Sequence, residues 1–170
     1  VVFKNDQVMV LENKDALPRA WIVHNASRAT TESQLAVLAD EQVDPRATAL
    51  IANADGLPAL AAPADPVKES VVVADSGTDS VTLKAHLQAN GMVVVSDAYA
   101  AGWNVYVDGK KTTLYLTDGV LRSVAVPAGE HVIEFRYEPA ALTLGLWTSG
   151  AAGVGMAAVL ALALWERRRP

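Results

Sequence analysis

The amino-acid sequence predicts a mainly β protein: a jelly-roll-like antiparallel β-sandwich with a short helix near the N-terminus and a transmembrane helix at the C-terminus. Three observations lead to this prediction. Residues 69–138 consist of short alternating segments separated by turn dipeptides, residues 30–42 have the pattern of a capped helix, and residues 143–165 contain no charged side chain. With 170 residues, the chain is long enough for one domain with a substantial core.

Strand periodicity is clearest in residues 80–89, "SVTLKAHLQA", where apolar and polar side chains alternate. A period of two is typical of a strand with one buried face. The next run, "MVVVSDAY", begins with four consecutive apolar residues and predicts a central strand. Asn90-Gly91 predicts a type I′ hairpin, and Asp108-Gly109, Asp118-Gly119 and Ala128-Gly129 predict further tight turns. The side chains expected in the core are Leu83, Val94, Trp103, Val105, Val124, Ile133 and Phe135.

The first third of the chain predicts a mixture of elements. "QVMVLEN" and "RAWIVHNA" have the composition of short strands, and a turn that contains Pro18 separates them. "TTESQLAVLADEQ" predicts a helix of two to three turns that ends before Asp44-Pro45. "ATALIA" predicts another strand, and residues 57–66, with three prolines, predict a surface loop.

The uncharged run of residues 143–165 predicts a membrane-spanning helix. At about 1.5 Å per residue it would extend roughly 34 Å, enough to cross the core of a bilayer. Trp147 and Trp165 suit the two membrane interfaces. The alternative is a buried core helix, but runs of this length without charge are rare in soluble domains. A stripe of small residues suits packing against other transmembrane helices of a parent chain; it comprises Gly145, Ser149, Gly153, Ala157 and Ala161.

Charge predicts the orientation of the chain. Three arginines, Arg167, Arg168 and Arg169, follow the apolar run and favour a cytoplasmic C-terminus. We therefore expect residues 1–138 to form an extracytoplasmic domain and residues 139–170 to form the transmembrane helix with its basic tail. The chain begins at Val1 without methionine, and we expect it to be part of a longer polypeptide.

The expected extracytoplasmic part of the chain is acidic, and this charge restricts the classes of molecule that it could bind. The net charge is −5, and because Glu166 with the three arginines contributes +2, residues 1–165 carry −7. Such a domain is a poor candidate for binding nucleic acid. The chain has no cysteine, which excludes disulfides and thiolate metal sites.

The hairpin around "GWNVYVDGKK" carries the candidate binding residues. Trp103, Val105 and Val107 should face one side, and Asn104, Tyr106 and Asp108 the other. Trp103 suits either a core anchor or a platform on which a sugar stacks. The candidate substrate-binding residues are Trp103, Asn104, Tyr106, Lys110 and Lys111.

No pattern for catalysis or for metal binding is evident. His24, His86 and His131 are not at metal-ligand spacing, and "DSGTDS" is typical of a turn. Asp97, Asp108 and Asp118 sit where turn chemistry explains them. We therefore predict no catalytic residue, no metal and no cofactor for this part of the chain.

Two segments resemble a known family. "YAAGWNVYVDGKKTTLYLTDGVLRSVAVPAGEHVIEFRYEP", followed by a glycine-containing apolar helix and arginines, is similar to the C-terminal end of the YfhO-like bacterial membrane proteins. "LENKDALPRAWIV" resembles an upstream segment of the same family. The resemblance extends from Val8 to the end of the chain and is weakest over residues 30–70.

This resemblance implies a role in cell-envelope chemistry. Members look like polytopic glycosyltransferases of the C type, which use a polyprenyl-phosphate-linked sugar to modify envelope glycans. Their catalytic acid lies on an early outer loop that has no counterpart in this chain. The resemblance therefore implies a non-catalytic accessory domain in the bacterial cell membrane, with the lipid bilayer as a partner and the envelope glycan or the polyprenyl-phosphate-linked sugar as candidate partners. The alternative is a membrane-anchored sandwich with a purely structural or protein-interaction role.

Overall fold

The computed structural model describes residues 2–5 and 7–167, and the described chain is mainly β. The strands are β1 (Phe3–Lys4), β2 (Met9–Val10), β3 (Ala20–Val23), β4 (Asn25–Arg28), β5 (Thr48–Ile51), β6 (Ser70–Ser76), β7 (Ser80–Leu87), β8 (Gly91–Ala98), β9 (Trp103–Val107), β10 (Lys110–Thr112), β11 (Tyr115–Thr117), β12 (Leu121–Val126) and β13 (Gly129–Tyr137). The helices are α1 (Thr31–Ala39) and α2 (Ala140–Arg167), with one 3₁₀ turn at Pro66–Lys68.

Two sheets form the sandwich. The five-stranded sheet has the order β10-β9-β13-β7-β6, and the six-stranded sheet has the order β3-β8-β12-β11-β5-β4. The five-stranded sheet is antiparallel throughout, whereas β4 and β5 in the other sheet pair in parallel around α1. This arrangement confirms the predicted fold class. A separate two-stranded ribbon, β1 with β2, precedes it.

The main core lies between the two sheets. Leu83 of β7, Val105 of β9, Val124 of β12 and Ile133 and Phe135 of β13 are fully buried there, as the sequence predicts. Val94 is also buried, but it belongs to a second apolar cluster with Trp21, Ile51 and Tyr115. Trp103 is only partly buried and packs against the main core.

The alternating and apolar strands take the predicted positions. In β7 the alternate residues Val81, Leu83, Ala85 and Leu87 are buried. In β8 the four residues 92–95 are all buried, because the strand lies between β3 and β12 and both of its faces are covered by apolar clusters. The continuous apolar run therefore reflects two buried faces.

The prediction of a hairpin at Asn90-Gly91 is wrong. Strands β7 and β8 belong to different sheets, so this connection crosses from one sheet to the other. Asn90 instead ties segments together: its carbonyl accepts the Ala61 N–H at 3.0 Å, and its Oδ1 accepts the Ala128 N–H at 3.1 Å. Ala128-Gly129 likewise stands where the chain crosses between sheets, from β12 to β13, and Gly129 is the first residue of β13. By contrast, Asp108-Gly109 joins β9 to β10 in a two-residue hairpin with φ values of 51° and 76°.

Helix α1 begins where the sequence predicts. Thr30 is its N-cap, and the threonine side chain accepts the Ser33 N–H. The buried residue of α1 is Gln34, which donates to the Ala29 carbonyl at 2.9 Å and accepts the Gly119 N–H at 2.6 Å. This glutamine joins the helix to the β11–β12 turn.

Helix α2 is long and apolar enough to cross a membrane. The stretch Ala140–Ala161 has a mean hydropathy of 1.5, and none of it is buried against the sandwich. The exposed apolar surface of α2 includes Leu146, Trp147 and Val154. Of the predicted basic tail, Arg168 and Arg169 lie outside the described residues, and the packing of the small-residue stripe against other helices stays a prediction.

Candidate functional site

The β9–β10 hairpin divides the candidate binding residues between two faces of the five-stranded sheet. Lys111 pairs with Tyr106, and Tyr106 pairs with Glu134 of β13. Because directly paired residues point to the same side, these three side chains share the outer, solvent-facing surface. Asn104, two residues from Tyr106, lies on that surface as well.

Glu138, the first residue after β13, connects the candidate residues. Its Oε2 accepts hydrogen bonds from Asn104 Nδ2 at 2.7 Å and from the Tyr106 hydroxyl at 2.8 Å. Both bonds go to the same carboxylate oxygen, so Oε1 carries neither of them. Asn104, Tyr106, Lys111 and Glu138 are called the hairpin face below.

Hydrogen bonding sets the ionisation of this face. The Tyr106 hydroxyl donates to Glu138, which lowers the pKa of the carboxyl group, and the bond from Asn104 lowers it further. The same bond to Glu138 raises the pKa of the Tyr106 phenol. Glu138 is therefore an anion and Tyr106 a neutral hydroxyl near pH 7.

Arg136 lies beside the hairpin face and covers part of it. Its guanidinium carbon is 4.8 Å from the centre of the Tyr106 ring, and its Nη2 donates to Glu134 at 2.7 Å. One face of the tyrosine ring is thus occupied by a cation. Next to these residues is an open polar cleft of about 410 Å³, lined in part by Asp79, Glu134, Arg136 and Glu138.

Trp103 lies on the other side of the sheet. The Arg122 guanidinium carbon is 3.9 Å from the centre of its ring and 5.1 Å from that of Phe135. Arg122 is itself buried, and it donates to Asp97 at 2.7 Å. The Trp103 and Tyr137 rings are 5.6 Å apart. Of the two interpretations of Trp103, these contacts favour the core anchor.

Lys110 is also separated from the hairpin face. It pairs with Val107, whose side chain packs against the core between the sheets, so Lys110 points to that side at the open edge of the sandwich. It lines a different cleft, of about 460 Å³, with Lys111, Ala125 and Pro127.

Each of the three histidines pairs with a single carboxylate. His24 Nε2 is 2.8 Å from Glu69, His86 Nδ1 is 2.7 Å from Glu130, and His131 Nδ1 is 2.7 Å from Asp108. Within residues 2–5 and 7–167, no group of three or more histidine, aspartate or glutamate side chains lies close enough to hold a metal ion.

Sequence reasoning missed two members of this surface, Arg136 and Glu138. The alternation of β13 places Arg136 on its polar side, and that pattern was visible in "EHVIEFRYE". Glu138 follows the strand, and its contact with Asn104 and Tyr106 depends on the pairing of β13 with β9. No local pattern indicates that pairing.

Comparison with known proteins gives one family. The family described as "Bacterial membrane protein YfhO" matches residues 5–149, which include the whole sandwich and the beginning of α2. Neither the curated proteins nor the solved structures contain a match to this chain.

Proposed function

The chain belongs to the YfhO family of bacterial membrane proteins, and from this we propose that it is a non-catalytic accessory part of a membrane glycosyltransferase. In this proposal the parent protein transfers sugar from a polyprenyl-phosphate carrier to a cell-envelope glycan. The sandwich lies on the outer side of the membrane, α2 crosses the membrane, and the arginines after α2 are cytoplasmic. The resemblance of the two quoted segments supports the reaction class, and the arginines after α2 support the orientation.

The observation that carries the binding role is the shared carboxylate of Glu138. It holds the Asn104 amide and the Tyr106 hydroxyl in fixed positions next to the polar cleft. Sugars present many hydroxyl groups, which donate to carboxylates and accept from amides and ammonium groups. Lys111 adds a cation on the same surface, suited to anionic groups on envelope polymers. The hairpin face therefore suits a polar, partly anionic glycan.

The same groups are poorly suited to catalysis. A general acid must hold a proton near working pH, whereas Glu138 has a lowered pKa. In the opposite assignment, the lowered pKa makes Glu138 a weak proton acceptor, and the raised pKa makes Tyr106 a weak proton donor. The two groups therefore favour binding over proton transfer.

A second candidate function is a purely structural or protein-interaction role. Arg136 covers one face of the Tyr106 ring, which leaves at most one face for a sugar. Trp103 packs against Arg122 and contributes to the core. If the hairpin face binds no glycan, these contacts serve only to stabilise the fold.

A matched pair of variants separates the two functions. In the intact membrane protein, Asn104→Ala, Tyr106→Phe and Lys111→Ala are combined, with Lys110→Ala as the control on the opposite face of the same hairpin. The combined variant loses hydrogen bonds to the glycan worth about 1–2 kcal/mol in total, so its rate of sugar transfer should fall roughly tenfold. Transfer is measured on envelope glycans and divided by the amount of folded protein. Unchanged transfer by the combined variant would reject glycan binding at this face.

A further inference from the structure

The structure contains an exposed apolar loop directly beside the start of α2. The loop is Tyr99-Ala100-Ala101, between β8 and β9, and all three residues are exposed. Its neighbour Gly102 accepts the Glu138 N–H at 2.7 Å. A Cβ atom at Gly102 would lie 2.8 Å from the Tyr137 ring and 3.3 Å from Pro139. The loop is therefore packed against the last residues before the apolar helix.

Two further apolar side chains extend this surface. Val120, which is 52% exposed, lies in the β11–β12 turn, and its carbonyl accepts the Tyr99 N–H at 2.8 Å. Tyr137, which is 44% exposed, is the last residue of β13. Tyr99, Ala100, Ala101, Val120 and Tyr137 lie at the same end of the sandwich and are together called the rim below.

Three charged groups near the rim are bound elsewhere, whereas two exposed carboxylates flank it: Asp79, whose carbonyl accepts the Tyr137 N–H at 2.7 Å, and Asp55, which lines a cleft with Tyr99. Asp118, two residues before Val120, is buried and accepts the Leu50 N–H at 2.9 Å. Asp97, two residues before Tyr99, accepts from the buried Arg122. The Glu138 carboxylate accepts hydrogen bonds from Asn104 and Tyr106 on the outer surface of the sheet. The rim residues themselves are uncharged.

Covalent geometry keeps the rim close to the helix. Tyr137 and the first residue of α2, Ala140, are three residues apart, a distance of at most about 11 Å along the chain. Tyrosine is enriched where proteins meet the headgroup region of a bilayer, because its ring is apolar and its hydroxyl is polar. A surface of two tyrosines and small apolar residues at this position fits a lipid interface.

We propose that the rim lies in the headgroup region of the same bilayer that α2 crosses, so that this end of the sandwich rests on the membrane. The inference depends on the proposed membrane span of α2. The rim would add a second contact with lipid and would set the orientation of the sandwich relative to the membrane. The opposite end of β9, with Lys110 beyond it, would point away from the bilayer.

Single cysteines allow a direct test, because the chain contains none. An environment-sensitive fluorophore is attached at Ala100→Cys in the full chain, reconstituted into phosphatidylcholine vesicles. Lys110→Cys is the control at the far end of β9, and Val154→Cys is the control within α2. Quenching is measured with iodide in the water and with lipids that carry a nitroxide near the headgroup or deep in the acyl chain.

The expected result is a graded depth. The label at position 100 should show a several-fold smaller iodide quenching constant than the label at position 110, and it should be quenched by the shallow nitroxide. The label at position 154 should be quenched by the deep nitroxide. Adding Ala101→Asp to the Ala100→Cys variant should reduce quenching by the shallow nitroxide, because a carboxylate disfavours the lipid interface.

Three outcomes would contradict the proposals in different ways. Equal iodide quenching at positions 100 and 110 overturns the rim while leaving the membrane span intact. Protection at position 100 from both iodide and the nitroxide lipids means that protein covers the rim, which also overturns lipid contact. A label at position 154 that no lipid quencher reaches rejects the membrane span of α2 itself.

Discussion

His24 and Glu69 form a nearly buried pair that joins the edges of the two sheets. His24 Nε2 lies 2.8 Å from Glu69 Oε2, and the side chains are 11% and 6% exposed. His24 follows the edge strand β3, and Glu69 precedes the edge strand β6. The second carboxylate oxygen accepts the Gln88 N–H at 2.7 Å. His24 Nδ1 is 3.1 Å from the Asn90 carbonyl, so the pair also holds the β7–β8 crossover.

Replacing Glu69 should therefore destabilise the sandwich strongly. Glu69→Ala leaves the imidazole and the Gln88 N–H without their acceptor, and we expect a loss of about 2–4 kcal/mol in the free energy of unfolding. Glu69→Gln keeps an acceptor and should lose less. Urea unfolding of the detergent-solubilised chain, followed by tryptophan fluorescence, measures both variants. A loss below about 1 kcal/mol for Glu69→Ala would show that the hydrogen bonds at Glu69 do not stabilise the fold.

Trp103→Ala should test whether this ring is a core anchor. The ring packs on the buried Arg122 and beside Tyr137, and its removal leaves a cavity and an uncovered guanidinium. We expect a loss of about 3 kcal/mol, the lower end for a large aromatic residue because Trp103 is only partly buried. Trp103→Phe is the milder control. A loss below about 1 kcal/mol in the same urea experiment would favour a ligand-facing tryptophan.

Asp118 should give the sandwich a distinctive pH dependence. Burial raises the pKa of its carboxyl group, although the bond from the Leu50 N–H opposes this in part. The folded state therefore holds the proton at a pH where the unfolded chain, with a pKa near 3.9, has lost it. The stability from this group is complete below that value and is lost as the pH rises through the higher pKa of the folded state.

Asp118→Asn removes this titration and keeps an oxygen to accept the Leu50 N–H. The chain with Asp118 should lose stability relative to the Asp118→Asn variant as the pH rises above about 4. Asp108 and Glu138 have lowered pKa values and act in the opposite direction, but they are present in both proteins and cancel in the difference. Urea unfolding at several pH values measures that difference. A constant difference across the range would mean that Asp118 does not titrate there.

Cysteine accessibility tests the proposed orientation. Thr78→Cys, in the exposed β6–β7 loop, should react with a membrane-impermeant maleimide in intact cells. Arg167→Cys, at the end of α2, should react only after permeabilisation, because the basic flank favours the cytoplasm. Permeabilised cells are the control for both sites. The reverse labelling pattern would place the sandwich inside the cell.

Local sequence patterns determined most of the elements. The alternation in β7, the apolar run in β8, the Thr30 cap of α1 and the positive-φ turn at Asp108-Gly109 each depend on a few neighbouring residues. Backbone preference and the burial of one face act over that short range, so the sequence alone shows them. The apolar length of α2 is likewise a property of composition.

Only the tertiary structure decided which elements meet. Asn90-Gly91 has the composition of a hairpin turn, yet β7 and β8 enter different sheets, and Gly91 lies where a Cβ atom would be 2.9 Å from the His24 ring. Lys110 and Lys111 are adjacent in sequence but lie on opposite faces, and Glu138 reaches Asn104 and Tyr106 only because β13 pairs with β9. A dipeptide favours a turn by its own φ preferences, whereas the choice of partner strand depends on burying apolar surface from distant parts of the chain.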